Sequence, residues 1–329
     1  MKFFGSALIL TIINFCLINA RPNDYRQQDD KFYFWLDNEH KATIKGLSDR
    51  SIKDVVIPQY FVVDGERWYV NSIGHAAFSG YDITSVTIPD TIESITFDTY
   101  AFEDCKKLKT LTINAGKVPK VALRAFYKTN VDIVIKGSAV PAFTEALAKS
   151  VLSDFGLSVN KDYTNVSQYN RKKDLFTLGK KLNRYITFDG NADQGNAAVA
   201  LAVGHASWGG VSRAYYQLAR AMGIKATEVL IGGDAAVSAW NYVKVDGKWY
   251  NVDVSRYEFK NDSYNNAFFK SKSQFSTFLN EKQPSGKYNN KPSYWVVVRD
   301  LIHYQGESYY HGTTYFDSYL SQNNLGSRA

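Results

Sequence analysis

Apolar positions recur with two different periods, and the change of period divides the chain. Across residues 50–136, short β-branched runs return at intervals: Val86-Thr87-Ile88, Leu111-Thr112-Ile113 and Ile133-Val134-Ile135. An Ala-Phe pair precedes each run, at Ala77, Ala101 and Ala125, a step of 24 residues. A period in the twenties with one short strand per unit predicts a solenoid, in which each turn buries its apolar face only against its neighbours. Phe143, Leu147, Val151 and Phe155 then recur every fourth residue, a helical stripe suited to closing the open end. Residues 160–173 are polar and aperiodic and read as a linker. Helical spacing resumes from Asp174 through Leu175, Leu178, Leu182 and Ile186. Val211, Tyr215, Leu218 and Met222 give a further helix with one buried face, entered through Gly209-Gly210 and stopped by Gly223. Asp246-Gly247 between two alternating stretches predicts a two-residue hairpin, and 294–298 is a further strand candidate.

At 329 residues the chain has room for about two domains. Residues 1–20 read as a secretory signal: Lys2 is the positive end, 7–17 is nearly all apolar, and Ile18-Asn19-Ala20 offers a cleavage site before Arg21. Phe15 directly before Cys16 argues against lipoprotein processing. No other stretch approaches the roughly 20 apolar residues of a membrane span. The mature chain is therefore expected to be exported, with no membrane span. Removing Lys2 from 39 basic residues leaves 38 against 32 acidic ones, a net +6. That excess implies solubility and weak attraction to acidic surfaces, and no nucleic-acid module accompanies it. Cys16 leaves with the signal, so Cys105 is the one remaining thiol and an intramolecular disulfide is impossible.

The repeat wording narrows the fold. Ile73-Gly74-His75-Ala76-Ala77-Phe78 leads to Ile83 and then Val86-Thr87-Ile88-Pro89, and Ala101-Phe102-Glu103-Asp104-Cys105-Lys106-Lys107-Leu108 leads to Leu111 and Ile113. This resembles the BspA-type leucine-rich repeat, whose unit runs Ile-Pro, then Ile-Gly-x-x-Ala-Phe-x-x-Cys-x-x-Leu-x-x-Ile. The resemblance implies that Cys105 faces inward as a small apolar residue, and it implies adhesion or contact with a host or matrix surface.

In the second half, Gly210-Val211-Ser212-Arg213-Ala214-Tyr215 is followed by Ser238-Ala239-Trp240-Asn241, Gly247-Lys248-Trp249-Tyr250 and Asp253. The pattern resembles the transglutaminase-like family, which reads Gly-Val-Cys-x-Gly-Tyr-Ala, then His-Ala-Trp-Asn, then Gly-x-Trp-Tyr-x-x-Asp. The family's nucleophilic Cys falls on Ser212 and its His on Ser238, while the acid is kept as Asp253. A helix N-terminus helps a thiol to ionise near pH 7, but its contribution of about 0.3–1 kcal/mol cannot make an alkoxide of a serine. Ser212 therefore needs a general base. Otherwise it serves as a helix cap, the residue type preferred there. If Val245 faces Lys248 across the hairpin, then Trp240 faces Asp253, and positions 238 and 253 are diagonal neighbours within about 7–8 Å. Ser238 has no titratable nitrogen to take a proton. Asp253 then reads as a carboxylate held by neighbouring backbone or hydroxyl groups. His205, seven residues before Ser212, is the histidine nearest the cleft mouth in sequence, and no motif sets it against the hydroxyl. No histidine pair has metal-ligand spacing, and no cofactor is implied.

The expected class is α+β: a short leucine-rich-repeat solenoid followed by a transglutaminase-like (papain-like cysteine protease) α+β domain. The organisation is a signal at 1–20, a capped BspA-type repeat domain at 21–159, a linker at 160–173, a transglutaminase-like core at 174–259 and a Tyr-rich extension at 260–329. The expected function is that of a secreted or cell-surface interaction protein. Its second domain would be a pseudoenzyme binding peptide or glycan through Ser212, Ser238, Trp240, Asp253 and His205. The alternative is an active peptidase or acyltransferase using Ser212. Expected partners are protein or glycan at an extracellular surface.

Overall fold

The computed structural model describes residues 26–189, 196–234, 238–255 and 296–298. The expected signal at 1–20, His303, His311 and most of the Tyr-rich extension lie outside the described residues. Eleven strands build the first region. They are β1 (Arg26–Gln28), β2 (Phe32–Leu36), β3 (Lys41–Leu47), β4 (Asp54–Val56), β5 (Tyr60–Val63), β6 (Glu66–Ile73), β7 (Ser85–Ile88), β8 (Ser94–Phe97), β9 (Thr110–Ile113), β10 (Lys117–Val121) and β11 (Val134–Lys136). Strands β4, β7, β9 and β11 form one parallel sheet, with Asp54, Ser85, Thr110 and Val134 in register. A second sheet runs β1-β2-β3-β6-β8-β10, with β5 antiparallel on β6. Its antiparallel start, β1 to β3, seeds the parallel stack.

The 24-residue period is visible atom by atom. Phe78 stacks on Phe102 at 5.3 Å, and Phe102 on Phe126 at 5.1 Å. The Phe78 amide donates to Ala101 O at 2.8 Å and the Phe102 amide to Ala125 O at 2.7 Å, so neighbouring turns satisfy each other's backbone. Gly80, Asp104 and Lys128, again 24 apart, all take a left-handed conformation (φ 68°, 56° and 57°). Repeat geometry thus imposes on Asp104 and Lys128 a backbone that only the glycine adopts without cost. Cys105 Sγ donates to Phe78 O at 3.0 Å, and Thr129 Oγ1 makes the same bond to Phe102 O at 2.6 Å one turn on. Burial pushes the Cys105 thiol up to about 12, so the side chain is an apolar filler with one weak donor.

The stack ends on α1 (Val140–Asp154), which begins with Pro141 in its first turn. Phe143 meets Phe126 edge-on at 5.8 Å and Phe97 at 5.3 Å, and Ser150 Oγ donates to Val121 O on β10. The same helix packs on the second region, and the buried core is continuous from Phe32 to Val254. One helix therefore closes the solenoid and founds the next layer.

The second region contains α2 (Gln168–Tyr185), β12 (Thr187–Phe188), α3 (Ala197–Val203), β13 (His205–Ala206), α4 (Trp208–Met222), β14 (Val229–Asp234), β15 (Ser238–Val245), β16 (Lys248–Val252) and β17 (Val296–Val298). Helix α2 opens at Gln168, capped by Ser167, inside the segment expected to be a linker. Within it Arg171, itself buried, forks onto Glu228 at 2.8 and 3.3 Å and fastens α2 to the residue before β14. The chain before it is not loose either: the amides of Asn160 and Lys161 donate to Ala221 O and Met222 O, strapping the end of α4. Gly223 stops that helix at φ 116°, and a Cβ there would lie 2.1 Å from Lys161 O. Strands β16, β15, β14 and β17 form an antiparallel sheet in that order, with α4 buried against β14 and β15. A helix layer on an antiparallel sheet is an α+β arrangement. Among the described residues no helix is long and apolar enough to cross a membrane.

Candidate functional site

Helix α4 begins at Trp208 with Ser207 as its N-cap, so Gly209 and Gly210 are helical rather than a flexible entry. Ser212, four residues past Trp208, is consequently not the cap. It lies beyond the first turn, 2 % exposed, and its Oγ donates back to Gly209 O at 3.1 Å. A hydroxyl bonded to the preceding turn is the ordinary alternative to capping for a serine inside a helix.

Strand β15 is stitched to that point. Asn241 Nδ2 donates to Ser212 O at 3.0 Å and to Leu230 O at 3.2 Å, linking helix, strand and neighbouring strand through one fully buried amide. Val243 and Val245 share this face of β15 by alternation and are buried with it. Asn241 belongs to the Ser238-Ala239-Trp240-Asn241 motif, and only the tertiary contact gives it a role.

The hairpin follows the expected register. Val245 pairs with Lys248 and Asn241 with Val252, and the turn residues Asp246 and Gly247 both have positive φ (53° and 72°), as a two-residue primed turn requires. The Asp246 amide donates to Gln168 Oε1 at 3.2 Å, which pins the turn to the start of α2. Asp253 follows β16, one residue beyond the Asn241–Val252 pair. It is fully buried, and its Oδ1 accepts from the Ser255 amide at 3.1 Å and the Ser255 hydroxyl at 2.6 Å. A hydroxyl and a backbone amide thus hold the carboxylate within its own turn. Ser255 carried no expected role.

Trp240 is buried 6.5 Å from the Tyr242 ring. Gly232 makes room for that tyrosine, because a Cβ there would lie 2.2 Å from Tyr242 Cε2. Burial drives the Tyr242 and Tyr215 phenols far above their ordinary range, so neither can act as a base. Ser238 opens β15 opposite Asp234. Its side chain lies outside the described residues.

His205 pairs with Thr187 in the short β12–β13 bridge. Its Nε2 lies 3.7 Å from Asp189 Oδ2, and Nδ1 is buried without a hydrogen-bond partner among the described residues. The adjacent rings of Phe188 and Trp208 meet at 5.0 Å. His205 therefore belongs to a cluster at the beginning of α4, facing Asp189, while the Ser212 hydroxyl faces Gly209. Ser212 and Asp253 are linked through the Asn241–Val252 strand pair. Among the described residues no group of three or more His, Cys, Asp or Glu side chains converges as metal ligands would.

Residues 70–169 match the BspA type Leucine rich repeat region in six copies. That span runs past the last solenoid strand into α1 and the start of α2. The chain is similar to a leucine rich cell surface protein from Faecalibacterium prausnitzii A2-165, at 26 % identity, over 34 % of this chain and 32 % of that one, with a TM-score of 0.29. A leucine-rich repeat protein from Bacteroides capillosus ATCC 29799 is 23 % identical, with 34 % and 98 % covered and a TM-score of 0.27. A structure described as a TGase is 15 % identical, with 40 % and 35 % covered and a TM-score of 0.25. The chain spans about a third of the length of the first of these proteins. All three TM-scores are below 0.5, and the architecture described above stands on the chain's own strand pairing. No curated protein matches the chain.

Proposed function

We propose that this chain, which carries a BspA-type leucine-rich repeat region, is an exported interaction protein whose second domain is a transglutaminase-like pseudoenzyme. The solenoid offers a repeat surface to a protein or glycan outside the cell. The second domain binds peptide or glycan rather than turning it over, at the surface around the vestigial positions 212, 238 and 253, since Ser212, Trp240 and Asp253 are themselves buried. One observation carries the reading: the acid of the motif is buried and satisfied by Ser255, while the nucleophile and base positions both hold serine. Among the described residues the Ser212 hydroxyl is bonded to Gly209 O and to no imidazole that could deprotonate it. Protein spanning 21–329 is expected to show no acyl transfer or amide hydrolysis above background with peptide and amine-donor substrates. Turnover that vanishes in Ser212→Ala would overturn the proposal.

A further inference from the structure

The outer face of the mixed sheet carries rings and charges that the solenoid core does not need. Trp35 and Tyr69 are 46 % and 47 % exposed there, and strand register puts Tyr60 beside Tyr69 and Arg67 beside Val62 on the same face. Two cations lie over these rings: Lys45 Nζ is 4.4 Å from the Trp35 centroid, and Arg67 Cζ is 4.6 Å from that of Tyr60. Neither has a carboxylate partner among the described residues. Of the nearby acids, Glu39 pairs with Lys41 at 2.6 Å, Glu66 lies 3.2 Å from His40 Nε2, and Asp37 is held by the backbone amides of Glu39 and Lys41. From β2 across β3 and β6 to β5 is three strand steps, so the Trp35 and Tyr60 rings under the two cations lie about 14 Å apart across the sheet. In the row that starts at Trp35, Thr43, Ser72 and Thr96 follow in register across β3, β6 and β8, with the Thr96 hydroxyl donating to Asn71 O at 3.4 Å.

We propose that this face, from Trp35 across to Arg67, binds an acidic polysaccharide chain. Such a chain brings flat C–H faces to lie on the rings, anionic groups to meet the two cations, and hydroxyls to meet the threonine and serine row. A peptide fits less well. It gains affinity by burying an anchor in a pocket or by pairing with an open strand edge, and this is the face of paired strands. The proposal needs from the proposed function only an extracellular setting, and its outcome does not depend on whether Ser212 is catalytic.

The test is binding of polygalacturonate to protein spanning 21–329, with dextran as the neutral control and polyglutamate as the acidic peptide. Polygalacturonate is expected to bind at low ionic strength and to be released at about 1 M salt, while dextran does not bind. Trp35→Ala and Arg67→Gln should each weaken binding about tenfold or more without changing Tm, whereas Trp35→Phe should keep most of it. Arg67 is exposed, so its variant reads the surface even if Trp35→Ala fails to fold. Absence of polygalacturonate binding, equal binding by the Arg67 variant, or polyglutamate binding as tightly with the same sensitivity to Trp35 would each overturn the proposal.

Discussion

The solenoid and the C-terminal α+β region are held by different logic. In the solenoid each role is filled three times: Phe78, Phe102 and Phe126 stack, and Gly80, Asp104 and Lys128 turn the chain. In the C-terminal region each role is filled once: one buried amide, Asn241, joins α4 to two strands, and one hydroxyl, Ser255, holds Asp253. Repetition tolerates substitution at a position as long as the backbone ladder persists, which is how Thr129 can stand in for Cys105. A singular site has no second copy to fall back on, and a change there is felt across helix and sheet together.

The largest effect should come from breaking the stack. Phe102→Ala removes the ring between two others and should cost roughly 3–5 kcal/mol in denaturant unfolding. A loss below about 1 kcal/mol would mean that the turns do not depend on one another. Next comes the singular clamp: Asn241→Ala should cost about 1–3 kcal/mol, because two carbonyls lose their shared donor. The same change should increase hydrogen exchange in both α4 and β15, whereas Phe102→Ala should raise it in the solenoid first.

Cys105 gives a pH-dependent comparison. A free cysteine thiol ionises at about 8.5, and burial pushes that of Cys105 up to about 12 in the folded chain. Above pH 9 the unfolded state therefore binds fewer protons, and the thiol's contribution to stability falls with rising pH by about 1.4 kcal/mol per unit until about 12. Stability curves of the native chain and Cys105→Ala should diverge with that sign and run parallel below pH 8. Alkylation of Cys105 should be slow in the native protein and fast in denaturant. The smallest expected effect is a gain: Lys128→Gly relieves a left-handed residue and should add about 0.5 kcal/mol, whereas Lys136→Gly, in a strand, should not.

Much of this contrast could be read from the residues. The Ala-Phe spacing exposes the repeat, since a period is a signal that accumulates over its copies. The Asp246-Gly247 turn fixes the β15–β16 register locally, because only certain residues accept positive φ twice in succession. What escaped depended on distant partners. Residues 168–173 look polar and aperiodic, yet they open a helix capped by Ser167, and Arg171 in it meets Glu228 fifty-seven residues away. Gly209 and Gly210 suggest a loose entry, yet both lie inside α4, whose cap is Ser207. Nothing around Asn241 announces which carbonyls it will meet, and Ser212 reads as a cap until Ser207 is seen to occupy that place.

In the proposed pseudoenzyme, Ser212, Ser238 and Asp253 occupy the nucleophile, base and acid positions of one vestigial site. The most direct measurement is the thiol pKa at position 212 in Ser212→Cys, with and without Ser238→His. A value well below the free thiol's of about 8.5 is predicted only when the second substitution supplies the imidazole, with Asp253 behind it. The same pKa in the single and double variants would show that the two positions do not meet, and the pseudoenzyme reading would fall with them.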